Sequence, residues 1–205
     1  MVVFMGVDPS INSSGICIQF WEDNSKVKEY FAIVKPDKLT KKEQKAHDAY
    51  LFFDYVLYEK HDLSKYEDNH EHEHFKTLNM IAVLDKIIET VKDNVSDKNV
   101  EIYVVQEGVS YGSTLKTKSV FDLAGLNFMI RERFLKDDRF HLTIATPSEI
   151  KKYSSGNGNC KKEVMIDLFK ILYPDFDLPK LDDICDAYFM ASYAKYLYDK
   201  EQNEV

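Results

Sequence analysis

The chain has 205 residues, 44% of them hydrophobic and 30% charged, with seven Gly, five Pro and a formal net charge of −8. That size and apolar content suit one well-buried domain and exclude wholesale disorder, collagen-like repeats and a linker-dominated architecture. No apolar run reaches the roughly 18 residues of a membrane-spanning helix, and MVVFMGVDPS lacks the regions of a secretory signal. A soluble, cytoplasmic protein with no membrane partner is expected.

Residues 2–7 (VVFMGV) form a short apolar run that stops at Asp8-Pro9 and reads as a buried strand. After the turn residues Ser10, Asn12, Ser13 and Ser14, GICIQFW (15–21) alternates Ile16, Ile18 and Phe20, the pattern of a second strand. Lys26 to Val34 is β-rich enough for a third, so the chain opens on an antiparallel meander. Residues 35–68 are rich in Lys, Asp, Glu, His and Tyr, and DAYLFFDYVLYEK (48–60) within them is expected to be helical. A helix over about 71–93 follows from the spacing of Phe75, Leu78, Ile81, Leu84, Ile87, Ile88 and Val91. EIYVVQE (101–107) is then a fourth buried strand ending on a carboxylate. A helix at about 118–135, a strand HLTIA (141–145), a helix at about 161–172 and a last helix at about 181–199 complete the order. It predicts an α/β fold, a mixed five-stranded sheet flanked by helices, whose functional groups gather at the carboxyl ends of its parallel strands.

Cys17, Cys160 and Cys185 are odd in number and show no metal-binding spacing, so buried free thiols are expected rather than disulfides or a zinc site. The acidic total conceals an uneven distribution. Residues 108–172 carry 11 Lys and Arg against 7 Asp and Glu, a surplus of four that leaves −12 for the remainder. A local basic patch can therefore meet phosphate despite the average.

Four carboxylates stand out. Asp8 and Glu107 end predicted strands, and they share one sheet edge if those strands are parallel neighbours. Asp183 and Asp186, three apart, lie on one face of the last helix. Taken singly, Asp8 reads as a turn residue, Glu107 as a strand terminus and Asp182 or Asp183 as a helix cap. Taken together they would repel strongly unless hard cations such as Mg²⁺ or Mn²⁺ lay between them. Two such ions would suit in-line phosphoryl displacement.

MGVDPSINSSGICIQF resembles the first motif of the RuvC family of Holliday-junction resolvases, and VVQEGVSYGS its second. FDLAGLNFMIRERF (121–134) is similar to the helix that follows, especially in phage-type members. ATPSEIKKYSSGNGNCKKEVM (145–165) resembles the family's Pro-Lys-Gly-x-Gly-x-x-Lys segment, and LDDICDAYFMA (181–191) its final Asp-x-x-Asp helix. These five ordered segments span nearly the whole chain outside 35–75, which aligns with nothing in the family and reads as an atypical insert in a single domain.

The resemblance implies an RNase H-like fold and a homodimeric, Mg²⁺-dependent endonuclease of DNA recombination and repair, with Mn²⁺ as a substitute. It would resolve four-way DNA junctions by paired symmetric nicks. Carried over, it makes Asp8, Glu107, Asp183 and Asp186 the metal ligands and Lys161 the lysine beside the scissile phosphate, with Lys162 the adjacent candidate. Gly156 and Gly158 would admit the sugar-phosphate chain, and Lys151 and Lys152 would contact phosphate. Tyr111, in a Ser/Gly loop, would stack on unpaired bases. Phe121 is expected in the core, and the 121–135 helix at the dimer surface.

His70, His72 and His74 crowd the end of the insert, but residues two apart on a helix diverge, so a solvated segment is expected there. Three rivals remain: a flap or branch nuclease on the same fold, a non-catalytic DNA-binding relative, and an actin-like or sugar-kinase ATPase. The last needs duplicated subdomains and Gly-rich nucleotide loops that this chain lacks.

Overall fold

The computed structural model describes residues 1–95, 97, 99–109 and 117–204. Strand alternation divides β1 (Val2–Asp8) between two cores. Val3, Met5 and Val7 pack on one face of the sheet and Phe4 on the other. Gly6 and Asp8 share the face of Phe4, because side chains of a strand repeat every second residue. β2 (Ser14–Glu22) pairs antiparallel with β1, and β3 (Ser25–Pro36) antiparallel with β2. β5 (Ile102–Glu107) lies parallel beside β1, and β6 (Phe140–Ala145) parallel beside β5.

The stretch expected to be helical at 48–60 is instead strand β4 (Phe53–Tyr58), which runs parallel to β3 at the opposite edge of the sheet. Among the described residues the sheet therefore has six strands in the order β4-β3-β2-β1-β5-β6, one more than expected. Aromatic density gave no period to separate the two readings, and the free hydrogen-bonding edge of β3 decided for a strand. The helix of this region lies earlier, as α1 (Lys41–Ala49), opened by a reciprocal capping box between Thr40 and Glu43. Since β2 alone runs against the rest, β1, β3, β4, β5 and β6 all end on one edge.

α2 (Asn69–Asn94) and α3 (Thr117–Leu135) cover the Val3 face, where Val83, Leu84 and Ile87 of α2 meet Leu126, Ile130 and Phe134 of α3. α1 lies on the Phe4 face with α4 (Pro147–Ser155), α5 (Lys162–Leu172) and α6 (Leu181–Glu204). α4 was not expected from periodicity. Its signal is local: Thr146 and Glu149 form a second capping box around Pro147, and Gly156 ends the helix at φ 78°. Phe121, expected in the core, is 71% exposed, because α3 buries the stripe that carries Leu126, Ile130 and Phe134. Cys17, Cys160 and Cys185 are buried free thiols, as expected. Among the described residues no helix is long and apolar enough to cross a membrane.

Candidate active site

Asp8 and Glu107 end neighbouring parallel strands whose last registered pair is Val7 with Gln106. Alternation sends both carboxyls to the face that α6 covers: Phe4, Gly6 and Asp8 on β1, Tyr103, Val105 and Glu107 on β5. α6 reaches them because two strand positions lack a side chain. A Cβ on Gly6 would stand 1.9 Å from the carbonyl oxygen of Ala187, and one on Gly15 2.2 Å from that of Asp183. Helix backbone thus rests directly on strand backbone, bringing Asp183 and Asp186 to the sheet edge with the flanking Ile184, Cys185 and Ala187 wholly buried.

The four carboxylates expected to act together do share this edge. A cleft of about 290 Å³ opens between Asp8, Glu107 and Asp186, walled by Pro147, Ile150 and Lys151 of α4, Lys162 and Met165 of α5, and Met190 of α6. Asp183 sits beside it, accepting a 2.5 Å hydrogen bond from Ser13 Oγ in the β1–β2 turn. All four carboxyls are held above the ordinary carboxylate range, burial being the first cause in each. For Asp8 the charges of Glu107, Asp186 and Asp183 add to it, and a side-chain hydrogen bond with Glu107 pushes the same way. Lys162 works against this, with Nζ 2.9 Å from Asp186 and 3.1 Å from Asp182. Those two carboxylates push its own ammonium up against the cost of burial.

At the start of α5 the lysine that lines the cleft is Lys162, one residue beyond the Lys161 expected there. Lys161 is the exposed N-cap of α5 and does not line the cleft. The helix start separates the two: Lys161 is extended outside the helix, whereas Lys162, its first residue, reaches Asp182 and Asp186 on α6. Of the expected phosphate contacts, Lys151 lines the cleft and Lys152 is exposed outside it. Gly156 and Gly158 have local reasons to be glycine. The first takes the left-handed helix cap, and a Cβ on the second would stand 3.0 Å from the carbonyl oxygen of Ser148. Tyr111 lies outside the described residues. Sequence reading missed Ser13 as the partner of Asp183 and α4 as a wall; the Thr146–Glu149 capping signal would have revealed the latter.

Among the described residues no three His, Cys, Asp or Glu side chains are drawn into a formed ligand set for a metal ion. His70, His72 and His74 lie in the first turns of α2, where His72 points away from the face shared by the other two and is bonded to the Tyr66 carbonyl. In the cleft, Asp186 is engaged by Lys162 and Asp183 by Ser13. The donors nevertheless fit a hard divalent cation. They are carboxylate oxygens only, buried and mutually repelling, and the groups that oppose them are Lys162 and Lys151.

The sequence matches no family model and no curated protein. Solved structures do match. The chain superposes on Thermus thermophilus RuvC with a TM-score of 0.55 at 14% identity, covering 98% of this chain and 97% of that one. Against T. thermophilus RuvC in complex with a Holliday junction substrate the score is 0.53 at 12% identity, over 98% and 97% of the two chains. The yeast mitochondrial Holliday junction resolvase Ydc2 gives 0.47 at 13% identity over 98% and 83%. The first two likenesses, end to end, show that the chain has the RuvC fold, the RNase H-like α/β architecture expected from its motifs.

Proposed function

We propose that the protein is a divalent-metal-dependent endonuclease that resolves four-way DNA junctions as a homodimer. The observation that carries the reading is the convergence of Asp8, Glu107, Asp183 and Asp186 on one edge of a RuvC-type sheet, with Lys162 and Lys151 in the same cleft. The four carboxylates would hold Mg²⁺ or Mn²⁺, which when bound supplies the positive charge that stabilises the attacking and leaving oxygens of a phosphodiester.

The chain's own groups do the rest. Asp8 and Glu107, whose carboxyls burial holds above the ordinary range, would both be favoured in their ionised forms by an added positive charge. Ser13 keeps Asp183 oriented. Lys162, released from Asp186, is placed to meet a phosphate oxygen on which charge builds. Pro147, Ile150, Met165 and Met190 give the cleft an apolar wall that strengthens these charge interactions. The homodimer is supported by an apolar stripe along the outside of α3, where Phe121, Phe128 and Leu135, seven residues apart, are 71%, 58% and 69% exposed.

The test is cleavage of end-labelled four-way junction, flap and linear duplex DNA with Mg²⁺, Mn²⁺ or chelator, comparing wild type with Asp8→Asn. Paired symmetric nicks on the junction, abolished by chelator and by the variant while junction binding persists, are expected. Cutting chiefly on flaps moves the function to branch cleavage. Normal cutting by Asp8→Asn refutes the site.

A further inference from the structure

The 35–75 stretch that matches no RuvC motif is built onto the same edge as the cleft. β3 ends there, so α1 begins there, as does the turn that follows Asp8. Three hydrogen bonds fix it in place. Tyr58 at the end of β4 donates to the carbonyl of Ile11 at 2.7 Å, inside the turn whose Ser13 holds Asp183. Tyr50, just after α1, donates to the carbonyl of Asp175 at 2.6 Å and accepts from the backbone N–H of Asp177 at 3.1 Å, bracing the loop that leads into α6. The charge of Asp183, together with that of Glu43 on α1, adds to the upward push of burial on Tyr55 of β4, as nearness to the cleft requires.

α1 presents lysines that folding does not explain. Lys35 is satisfied by Glu43 at 2.7 Å, but Lys38, Lys41, Lys42 and Lys45 are exposed and, among the described residues, none is ion-paired. Lys41 and Lys42 occupy the first turn of the helix, where the macrodipole disfavours cations. Lys42 and Lys45 line a groove of about 500 Å³ with Ala46, Tyr50 and the loop ahead of α6; Asp177 is the one carboxylate among its described lining residues. Exposed Asp37 and Asp48 flank the run, the latter taken by Gln44 at 2.9 Å. Lys151 and Lys162 line the cleft, and the α1 lysines follow β3 at the same sheet edge, so a second basic cluster stands outside the cleft at that edge.

We propose that α1 is a phosphate-binding surface for a duplex arm of the DNA that enters the cleft, with Lys41, Lys42 and Lys45 contacting its backbone. This rests on the nuclease reading above and adds to it a contact made outside the motifs shared with RuvC. Such contacts position a duplex without reading its sequence, and each neutralised phosphate adds about 0.9 to the slope of log affinity against log salt.

The experiment titrates wild type and the triple variant Lys41→Gln, Lys42→Gln, Lys45→Gln with long-armed and short-armed four-way junctions and with linear duplex, over a series of salt concentrations. On long arms the variant is expected to bind about tenfold more weakly at low salt, with a slope shallower by about 2 to 3. Short arms that end before α1 should erase the difference. The substitutions lie on exposed positions, so an unchanged or raised melting temperature confirms that the variant folds. Equal affinity and equal slope on long arms overturn the proposal and turn these lysines toward an acidic protein partner. A wild type that binds junction no better than duplex sinks the junction reading instead, and the slope comparison on duplex still decides for or against α1.

Discussion

The two faces of the sheet are packed by different means. On the Val3 face, side chains of Val3, Met5, Val7, Ile16 and Ile18 interdigitate with those of α2 and α3. On the Phe4 face, α6 meets β1 and β2 through bare backbone at Gly6 and Gly15. A side-chain interface absorbs small shifts by changing rotamers, whereas a backbone interface has nothing to move. The stiffer contact is the one that carries Asp183 and Asp186 to Asp8 and Glu107. Stability is distributed over both faces, but the geometry of the chemistry is set by one.

Substitution on each face separates the two roles. Gly6→Ala should have the largest effect, because its new Cβ would meet α6 backbone at 1.9 and 2.6 Å. A loss of about 3 kcal/mol in denaturant unfolding and a fall in cleavage of about 100-fold are expected. Ile130→Ala opens a cavity under α3, where the side chain is wholly buried. It should cost a similar ~3 kcal/mol yet leave cleavage per folded molecule within about twofold. Comparable loss of cleavage in both variants would break the contrast.

Ser13→Ala removes the donor to Asp183 while leaving the fold alone. Cleavage should slow by about tenfold, the worth of one hydrogen bond to a charged group, with little change in melting temperature. The smallest effect has a defined sign. Because the carboxyl of Asp8 is held above its ordinary range when folded, the native state keeps its proton longer than the unfolded chain does. Its contribution to the stability of the metal-free protein is therefore full below the unfolded pKa and is lost as pH rises through the folded one. Asp8→Asn should consequently melt a little higher than wild type at neutral pH in chelator, and the gap should close near pH 4. Added Mg²⁺ should raise the melting temperature of wild type more than that of the variant.

Much of the site was legible before any coordinates. Asp8 and Glu107 could be read because each ends a strand, and Asp183 and Asp186 because they share one face near the start of the last helix; such boundaries leave signals in apolar runs and turn residues. The choice between Lys161 and Lys162 was not legible, since adjacent residues differ only in the direction they face once α5 is docked. Strand β4 was not legible either. Its aromatic residues carry no decisive period, and its strand character comes from the unpaired edge of β3. α4 lay between these cases, as its capping box was present in the sequence but its periodicity was short.

The sequence alone therefore determined the opening meander, the strands that end on Asp8 and Glu107, the long helices and the candidate carboxylates, because strand and helix periods and their caps are local properties of the chain. The tertiary structure decided which lysine enters the cleft, that Ser13 holds Asp183, and that α1 stands beside the site. The first two depend on how closely α6 settles onto Gly6 and Gly15, a contact between residues more than 160 positions apart that no local pattern encodes, and the third on the pairing of β4 with β3.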